Sequence, residues 1–223
     1  MKGAWKKVLF LFILGLPVIG FLVVKHLSDV NLSMPGHYVV ESVNPDRGGS
    51  APDTLYHRMR DFNLVNQLGQ HVTRKNLEGR VTVVDFFHTR GRKITPRLSA
   101  VLEKIQDTYA QSASGLHILS ITTDPGYDDI TALKNYAERY HARHDLWWFV
   151  RGTLPEVTGM AGKDFQVTLK GVDSTNALSS PLMILLDKHQ YVRGYYDVRD
   201  SAAVLRLVHD MSLLMLEKEK AVE

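Results

Sequence analysis

The chain has no cysteine among its 223 residues. A protein without cysteine cannot form a disulfide, offer a thiolate to a metal, or use a thiol as a nucleophile or electron carrier. The dinucleotide motif GxGxxG, the phosphate-binding Walker loop, HExxH and GxSxG are also missing. These absences exclude thiol chemistry and the commonest nucleotide-dependent and hydrolytic enzymes, so the sequence predicts a protein that is not an enzyme.

The folded part of the chain also lacks an excess of charge. The sequence has 27 Lys plus Arg against 24 Asp plus Glu. Lys2, Lys6 and Lys7 account for the whole difference, so residues 8–223 carry 24 of each sign. Nucleic-acid binding depends on a basic surface that releases counterions from phosphates. We therefore predict no nucleic-acid partner.

One long apolar run is present, from Val8 to Val24, and Lys25 follows it. A bilayer-spanning helix needs about 17 to 25 residues, so this run is long enough. No small-x-small cleavage motif follows it, which favours a retained anchor over the alternative of a cleaved signal peptide. Lysines before the run place the amino terminus in the cytoplasm. The sequence predicts a cytoplasmic tail at 1–7, a single-pass anchor of the cytoplasmic membrane at 8–25, and a periplasmic or otherwise extracytoplasmic domain.

The rest of the chain divides by composition. Residues 26–54 are rich in Ser, Asn, Gly and Pro, which is typical of a linker or irregular lead-in. We predict a folded domain over residues 55–218 and a short tail at 219–223.

Within that domain, apolar patterns of strand and helix type alternate. The predicted strands are a hairpin with its turn at Asn66–Gly69, a buried strand at Val81–Phe87, a second at 115–124, a third at Leu146–Val150, and a hairpin of Leu182–Leu186 with Tyr191–Tyr196. The predicted helices are Ile94–Ala110, Asp128–Tyr140, Leu154–Met160 and Ser201–Glu217, and Lys170–Ser180 is a predicted loop. This order predicts an α/β fold with a central mixed sheet flanked by helices.

Three strings make the prediction more specific: FFHTRGRKITP at 86–96, SITTDPGYDD at 120–129 and SSPLMILLDKHQYVRGYYD at 179–197. The order β-α-β-α followed by β-β-α is that of a thioredoxin-like fold of the Sco/peroxiredoxin type. The first string resembles the turn of the Sco/SenC family, whose members carry Phe-Thr-x-Cys-x-x-x-Cys-Pro there. The other two strings resemble the family's second strand and its terminal hairpin.

This resemblance implies a copper carrier or thiol reductase that serves assembly of the copper centre of a cytochrome oxidase, with two cysteines and a histidine as copper ligands. Alignment on the first string puts Gly91 and Thr95 at the cysteine positions. The spacing before the terminal hairpin puts Ser179 at the histidine position. Glycine has no side-chain donor, and neutral hydroxyls are poor ligands for soft Cu(I). We therefore expect neither the family copper site nor dithiol chemistry, and no cofactor.

The turn that replaces the cysteines is rich in cations: His88, Arg90, Arg92, Lys93 and Arg97. They lie at the amino end of a predicted helix, where the backbone already carries partial positive charge. These residues form a candidate surface for an anion or for an acidic patch on a partner protein. The alternative is that they are simply solvated.

A weaker alternative is a copper carrier with a site rebuilt around His88. One histidine does not make a site, and His141 and His144, at i,i+3 spacing, are predicted to be surface residues rather than ligands.

Two further residues are predicted from their surroundings. Asp85 interrupts an apolar strand, so it is a candidate buried carboxylate that needs an Arg, a Lys or loop N–H groups as partner. Thioredoxin-like folds often hold a cis-proline that faces the active turn, so Pro181 is a candidate for a cis peptide bond. The alternative is a trans proline at the start of a strand, which is the commoner arrangement.

The sequence thus predicts a redox-inactive, membrane-anchored binding or assembly factor with a respiratory oxidase subunit or another assembly factor as partner. The alternatives are the copper carrier around His88 and a thioredoxin- or peroxiredoxin-like oxidoreductase, and the absence of cysteine argues against the latter.

Overall fold

The computed structural model describes residues 34–44, 53–110, 115–171 and 177–217. The predicted cytoplasmic tail, anchor and carboxyl-terminal tail lie outside these residues. Within the part of the chain that the structure describes, no helix is both long enough and apolar enough to cross a membrane.

The described residues form eleven strands and four α-helices. The strands are β1 (Val40–Asn44), β2 (Asp53–Tyr56), β3 (Asn63–Asn66), β4 (His71–Thr73), β5 (Val81–Phe87), β6 (Leu116–Thr122), β7 (Trp147–Arg151), β8 (Lys170–Gly171), β9 (Leu178–Ser179), β10 (Leu182–Leu186) and β11 (Val192–Asp197). The helices are α1 (Ile94–Tyr109), α2 (Ile130–Arg139), α3 (Leu154–Gly159) and α4 (Ser201–Leu216). A 3₁₀ turn at Arg74–Leu77 precedes β5, and a π-helical turn at Met160–Asp164 extends α3.

A seven-stranded mixed sheet lies at the centre, in the order β11-β10-β5-β6-β7-β3-β4. β5 pairs in parallel with β6 and antiparallel with β10, and β6 pairs in parallel with β7. Every residue of β5 and β6 is buried, which is typical of central strands covered on both faces. The thioredoxin-like architecture with a mixed sheet is therefore confirmed.

Each face of the sheet has its own apolar core. Helices α1, α2 and α4 cover one face, where Leu98, Leu133 and Leu207 pack against the sheet. On the other face, α3 and the π-helical turn contribute Val157 and Met160. The carboxyl ends of β5 and β6 emerge between these two layers, and the candidate site lies there.

Most predicted elements are confirmed within a few residues, and the differences concern short strands. Residues 40–44 and 53–56 pair as an antiparallel hairpin, so most of this hairpin falls in the predicted lead-in 26–54 and β2 crosses its end. The predicted loop Lys170–Ser180 contains the two-residue strands β8 and β9. Such short or polar strands show no apolar alternation, which is the signal that sequence patterns provide.

The glycine of the Gly-Tyr-Tyr-Asp string in β11 is required by the packing of a neighbouring tyrosine. A Cβ atom on Gly194 would lie 2.6 Å from ring atoms of Tyr196. Because glycine has no Cβ, the Tyr196 ring can lie across the strand at this point. The Tyr196 hydroxyl then donates to Asp210 Oδ2 in α4 at 2.6 Å. Glycine at 194 thus allows β11 to be fastened to the last helix.

Candidate functional site

The candidate site is the turn at 88–93, between β5 and α1. Thr123, directly after β6, fastens this end of the sheet. Its backbone N–H donates to the Phe87 carbonyl at 2.8 Å, and its hydroxyl donates to the carbonyls of Phe87, at 3.0 Å, and Leu178. The ends of β5, β6 and β9 therefore meet here, and the three family ligand positions lie on the turn, on α1 and on β9.

Gly91 and Thr95, at the two cysteine positions, are complementary in shape. The Thr95 side chain is fully buried. A Cβ atom on Gly91 would lie 2.6 Å from Thr95 Cβ, and Thr95 Oγ1 would be closer still. The Gly91 N–H closes the turn by donating to the His88 carbonyl at 3.0 Å. Thr95 thus occupies the space that a side chain at position 91 would need.

Ser179, at the histidine position, is also buried, with 1% of its surface exposed. Among the described residues, neither Ser179 Oγ nor Thr95 Oγ1 has a hydrogen-bond partner. Neutral hydroxyls do not match Cu(I), which prefers thiolate, thioether and imidazole donors. The residues at the family's ligand positions therefore do not fit a copper ion.

Two other predicted metal candidates can be placed. His88 is fully buried. The prediction that it belongs to an exposed cationic surface is wrong, because the covered region of β5 continues one residue beyond the strand. Among the described residues, no group of three or more His, Asp or Glu side chains could hold a metal ion. His141 and His144 therefore belong to no such group.

Arg90 is exposed but its charge is compensated. Its guanidinium forms an ion pair with Asp124, with Nε donating to Oδ2 at 3.1 Å, and it lies 4.3 Å from the centre of the Tyr127 ring. The hydrogen bond to Asp124 raises the pKa of Arg90. Arg90 thus fastens the turn to the loop after β6 and contributes little net charge to a binding surface.

Asp128 is a buried anchor that the sequence analysis did not identify. Its carboxylate accepts hydrogen bonds from the Thr89 N–H, at 3.1 Å, and from the hydroxyls of Thr89 and Thr122. The sequence predicted Asp128 at a helix start, but α2 begins at Ile130 and Asp129 caps it. In the string SITTDPGYDD, two threonines stand shortly before a pair of aspartates, and this pattern could have indicated a hydrogen bond between a threonine hydroxyl and an aspartate.

Three cations remain exposed on this side of the molecule: Arg92, Lys93 and Arg97. The first turn of α1 contains no acidic residue, and Lys93 provides no side-chain cap. Arg97 Nη2 donates to the Arg199 carbonyl at 3.2 Å, and the charge of Arg97 also helps to lower the pKa of Asp197. The exposed cations therefore concentrate at the positive end of the helix.

Asp85 is buried, as predicted, with 1% of its surface exposed. Its partner differs from the prediction: the Ser120 hydroxyl donates to Asp85 Oδ1 at 2.5 Å, and Trp147 Nε1 donates to Ser120 Oγ at 2.9 Å. Burial raises the pKa of Asp85 to about 7, although the hydrogen bond from Ser120 opposes the shift. A hydroxyl satisfies one carboxylate oxygen but adds no positive charge.

The prediction of a cis bond before Pro181 is wrong, since none of the described peptide bonds is cis. Pro181 directly precedes β10, where a trans proline loses no ladder hydrogen bond, and its carbonyl accepts from the Val198 N–H at 2.9 Å.

Comparison with solved structures shows the same fold in several proteins of low sequence identity. A SCO1/SenC family lipoprotein from Bacillus anthracis matches with a TM-score of 0.65 and 22% identity, over 71% of this chain and 95% of that one. BsSco, a Sco-family cytochrome c oxidase assembly protein with a disulfide switch, matches at 0.64 and 24%, over 74% and 98%. Copper-bound ScoI from Bradyrhizobium japonicum matches at 0.59 and 19%, over 70% and 99%.

No curated protein matches the chain significantly. The SCO1/SenC family model, however, matches residues 51–211, which is most of the chain and includes all three vacated ligand positions. The resemblance inferred from the three strings is thereby confirmed, and the chain belongs to the SCO1/SenC family.

Proposed function

We propose that this protein is a non-enzymatic assembly factor of cytochrome oxidase biogenesis that acts by binding a partner protein, without carrying copper and without thiol redox chemistry. In this proposal the apolar run at 8–25 anchors the chain in the cytoplasmic membrane, and the Sco domain faces the extracytoplasmic side.

The closed pair of Gly91 and Thr95 carries the proposal. A site that had only lost its ligands would leave space where the donors stood. Here Thr95 fills the space next to Gly91, and the turn is held by Asp124 and Asp128. The turn is therefore stable without a metal or a disulfide, as a binding scaffold requires.

The link to oxidase assembly rests on family membership. BsSco is described as a cytochrome c oxidase assembly protein, and ScoI from Bradyrhizobium japonicum binds copper. A relative that keeps the fold but lacks the donors can still contact the same assembly machinery, because partner recognition depends on surface shape and charge rather than on the metal.

Copper stoichiometry tests the metal part of this proposal. Full-length protein, purified in detergent and loaded with Cu(I) or Cu(II), should retain well below one ion per chain after washing against a competing chelator. His88→Ala serves as the comparison, and we expect it to behave like the unchanged protein. One tightly held ion, lost in His88→Ala, would support the copper carrier instead.

The assembly role needs a separate measurement. Deleting the gene should lower the amount of assembled oxidase in membranes, and the unchanged chain should restore it. Oxidase levels that do not respond to the deletion would contradict the assembly role.

A further inference from the structure

A cleft of about 690 Å³ opens beside the closed ligand positions. It lies between the first turn of α1, the β8–β9 ribbon and the end of β11. Its lining includes Ile94, Lys170, Ser179, Pro181, Asp197 and Arg199.

The floor of the cleft is mainly apolar. Ile94, Pro181 and Leu182 are half-buried there. Ser179 contributes to the wall, but its hydroxyl oxygen is inaccessible to solvent and cannot reach a ligand in the cleft. The exposed residues Gln166 and Thr168 add polar groups to the lining, and the apolar floor offers packing to a side chain.

The rim of the cleft carries positive charge. The Asp197 carboxylate is occupied by Arg199, whose Nε and Nη2 donate to it at 2.9 and 2.6 Å. This hydrogen bonding lowers the pKa of Asp197, so the carboxylate stays ionised and the pair is neutral. Lys170 lines the cleft and forms no ion pair with a carboxylate of the described residues. Arg97 lies beside the rim, where its Nη2 donates to the Arg199 carbonyl and its charge also acts on Asp197. Lys93, which directly precedes α1, is a further exposed cation at this end of the helix.

We propose that this cleft binds an extended acidic segment of the partner protein, with an apolar side chain on the floor and flanking carboxylates at Arg97 and Lys170. The inference rests on the proposed function, since it names the surface that a partner-binding factor would use. Charges at the rim and apolar groups at the centre are the usual anatomy of a protein-binding surface.

A peptide titration tests this assignment on the full-length protein in detergent. The probe is the fluorescein-labelled peptide Asp-Glu-Phe-Asp-Glu, followed by fluorescence anisotropy at low and high salt. We expect the double variant Arg97→Glu/Lys170→Glu to weaken binding at least about tenfold, and high salt to weaken binding to the unchanged protein. The amide analogue Asn-Gln-Phe-Asn-Gln should bind at least about tenfold more weakly.

Matched controls separate the cleft from general charge effects. Lys104→Glu/Lys134→Glu makes the same charge change on exposed positions of α1 and α2 and should change affinity less than about twofold. Gly171 lines the cleft, and no atom of the described residues lies within 4 Å of the point that a Cβ on it would occupy. Gly171→Trp should therefore block binding without changing charge. Gly162→Trp, at another glycine with open space, should bind normally.

Three outcomes would overturn the inference. The first is equal binding by the two charge-reversed proteins, and the second is normal binding by Gly171→Trp. The third is displacement of the peptide by succinate at the same concentration, which would indicate a small carboxylate as the ligand. Copper titration of the same samples reports on the proposed function separately, because Gly91, Thr95 and Ser179 themselves are unchanged in all of these variants.

Discussion

Asp85 shows how one side chain can conflict with its surroundings and still be tolerated. It lies in a strand whose seven residues are all buried, and its identified hydrogen-bond donor is the neutral Ser120 hydroxyl. Removing an ionised carboxylate from water without a nearby cation is unfavourable, so the folded protein favours the protonated form. The stability of the domain should therefore depend on pH through this residue.

The expected dependence follows from proton binding in the two states. The unfolded chain releases the Asp85 proton near the ordinary pKa of 3.8, whereas the folded protein holds it to about pH 7. Between these values the folded state binds more protons, so its stability falls as pH rises and levels off above about pH 7. Asp85→Asn removes this dependence. In urea unfolding, the free energy of unfolding of the variant relative to that of the unchanged protein should rise by roughly 4 kcal/mol between pH 4 and pH 8.

Asp107→Asn provides the control, since Asp107 is exposed on α1. Its stability relative to the unchanged protein should hardly vary with pH. If the free energy of unfolding of Asp85→Asn relative to the unchanged protein also did not vary with pH, the buried carboxylate would have an ordinary pKa.

The burial of Asp85 could be predicted because every residue around it in the string VVDFF is apolar. Its partner could not be predicted, because Ser120 becomes its neighbour only through the parallel register of β5 and β6. The same limit applied to Gly91 and Thr95. Alignment on the family string identified the two positions, but only coordinates show that one side chain fills the space beside the other.

At the scale of elements, the loop between β6 and α2 holds the turn between β5 and α1. Asp128 makes the tightest connection, since its carboxylate accepts three hydrogen bonds from Thr89 and Thr122. These donors sit at the ends of two adjacent parallel strands. The conformation of the turn is therefore held by the neighbouring loop as well as by the contacts that Gly91 makes within the turn.

Asp128→Ala would leave these donors without an acceptor. Each unsatisfied buried group costs about 1–3 kcal/mol, so we expect a loss of roughly 3 kcal/mol or more in urea unfolding. Hydrogen exchange of the Thr89 amide should accelerate. Asp129→Ala, which removes only the cap of α2, should cost about 1 kcal/mol and leave Thr89 exchange unchanged. Similar exchange in both variants would contradict the role of Asp128.

Element order and type were predictable wherever a strong period was present, as in β5, α1 and the β10–β11 hairpin. The π-helical turn after α3 was not predicted. Asp164 in that turn is buried and is bound by Arg60 through both carboxylate oxygens, at 2.8 and 2.9 Å. This contact spans about a hundred residues of sequence, and no local pattern indicates it.

At the scale of the whole domain, Arg193 connects three distant parts of the chain. It is buried in β11, and its guanidinium donates to Asp187 Oδ2 at 2.9 Å, to Glu217 Oε2 at 3.2 Å and to the Pro35 carbonyl at 2.8 Å. The start of the described chain, the β10–β11 turn and the end of α4 are thereby joined. Arg193 should thus be important for the cooperativity of the domain.

Arg193→Met keeps much of the side-chain volume and leaves Asp187 buried without its cation. Breaking a buried pair in this way typically costs about 3–5 kcal/mol, which urea unfolding would measure. Proteolysis near Pro35 should also become faster. Arg199→Met breaks an exposed Arg–Asp pair in the same region and should cost less than about 1 kcal/mol. Equal losses in the two variants would show that burial of the pair is unimportant.

The pairing of Gly91 with Thr95 also limits which side chains the turn can accept. Side chains at both positions would bring two Cβ atoms to 2.6 Å, well below the roughly 3.5–4.5 Å at which cysteines can be bridged. Two cysteines placed at positions 91 and 95 would therefore form a disulfide only if the main chain between them also moved.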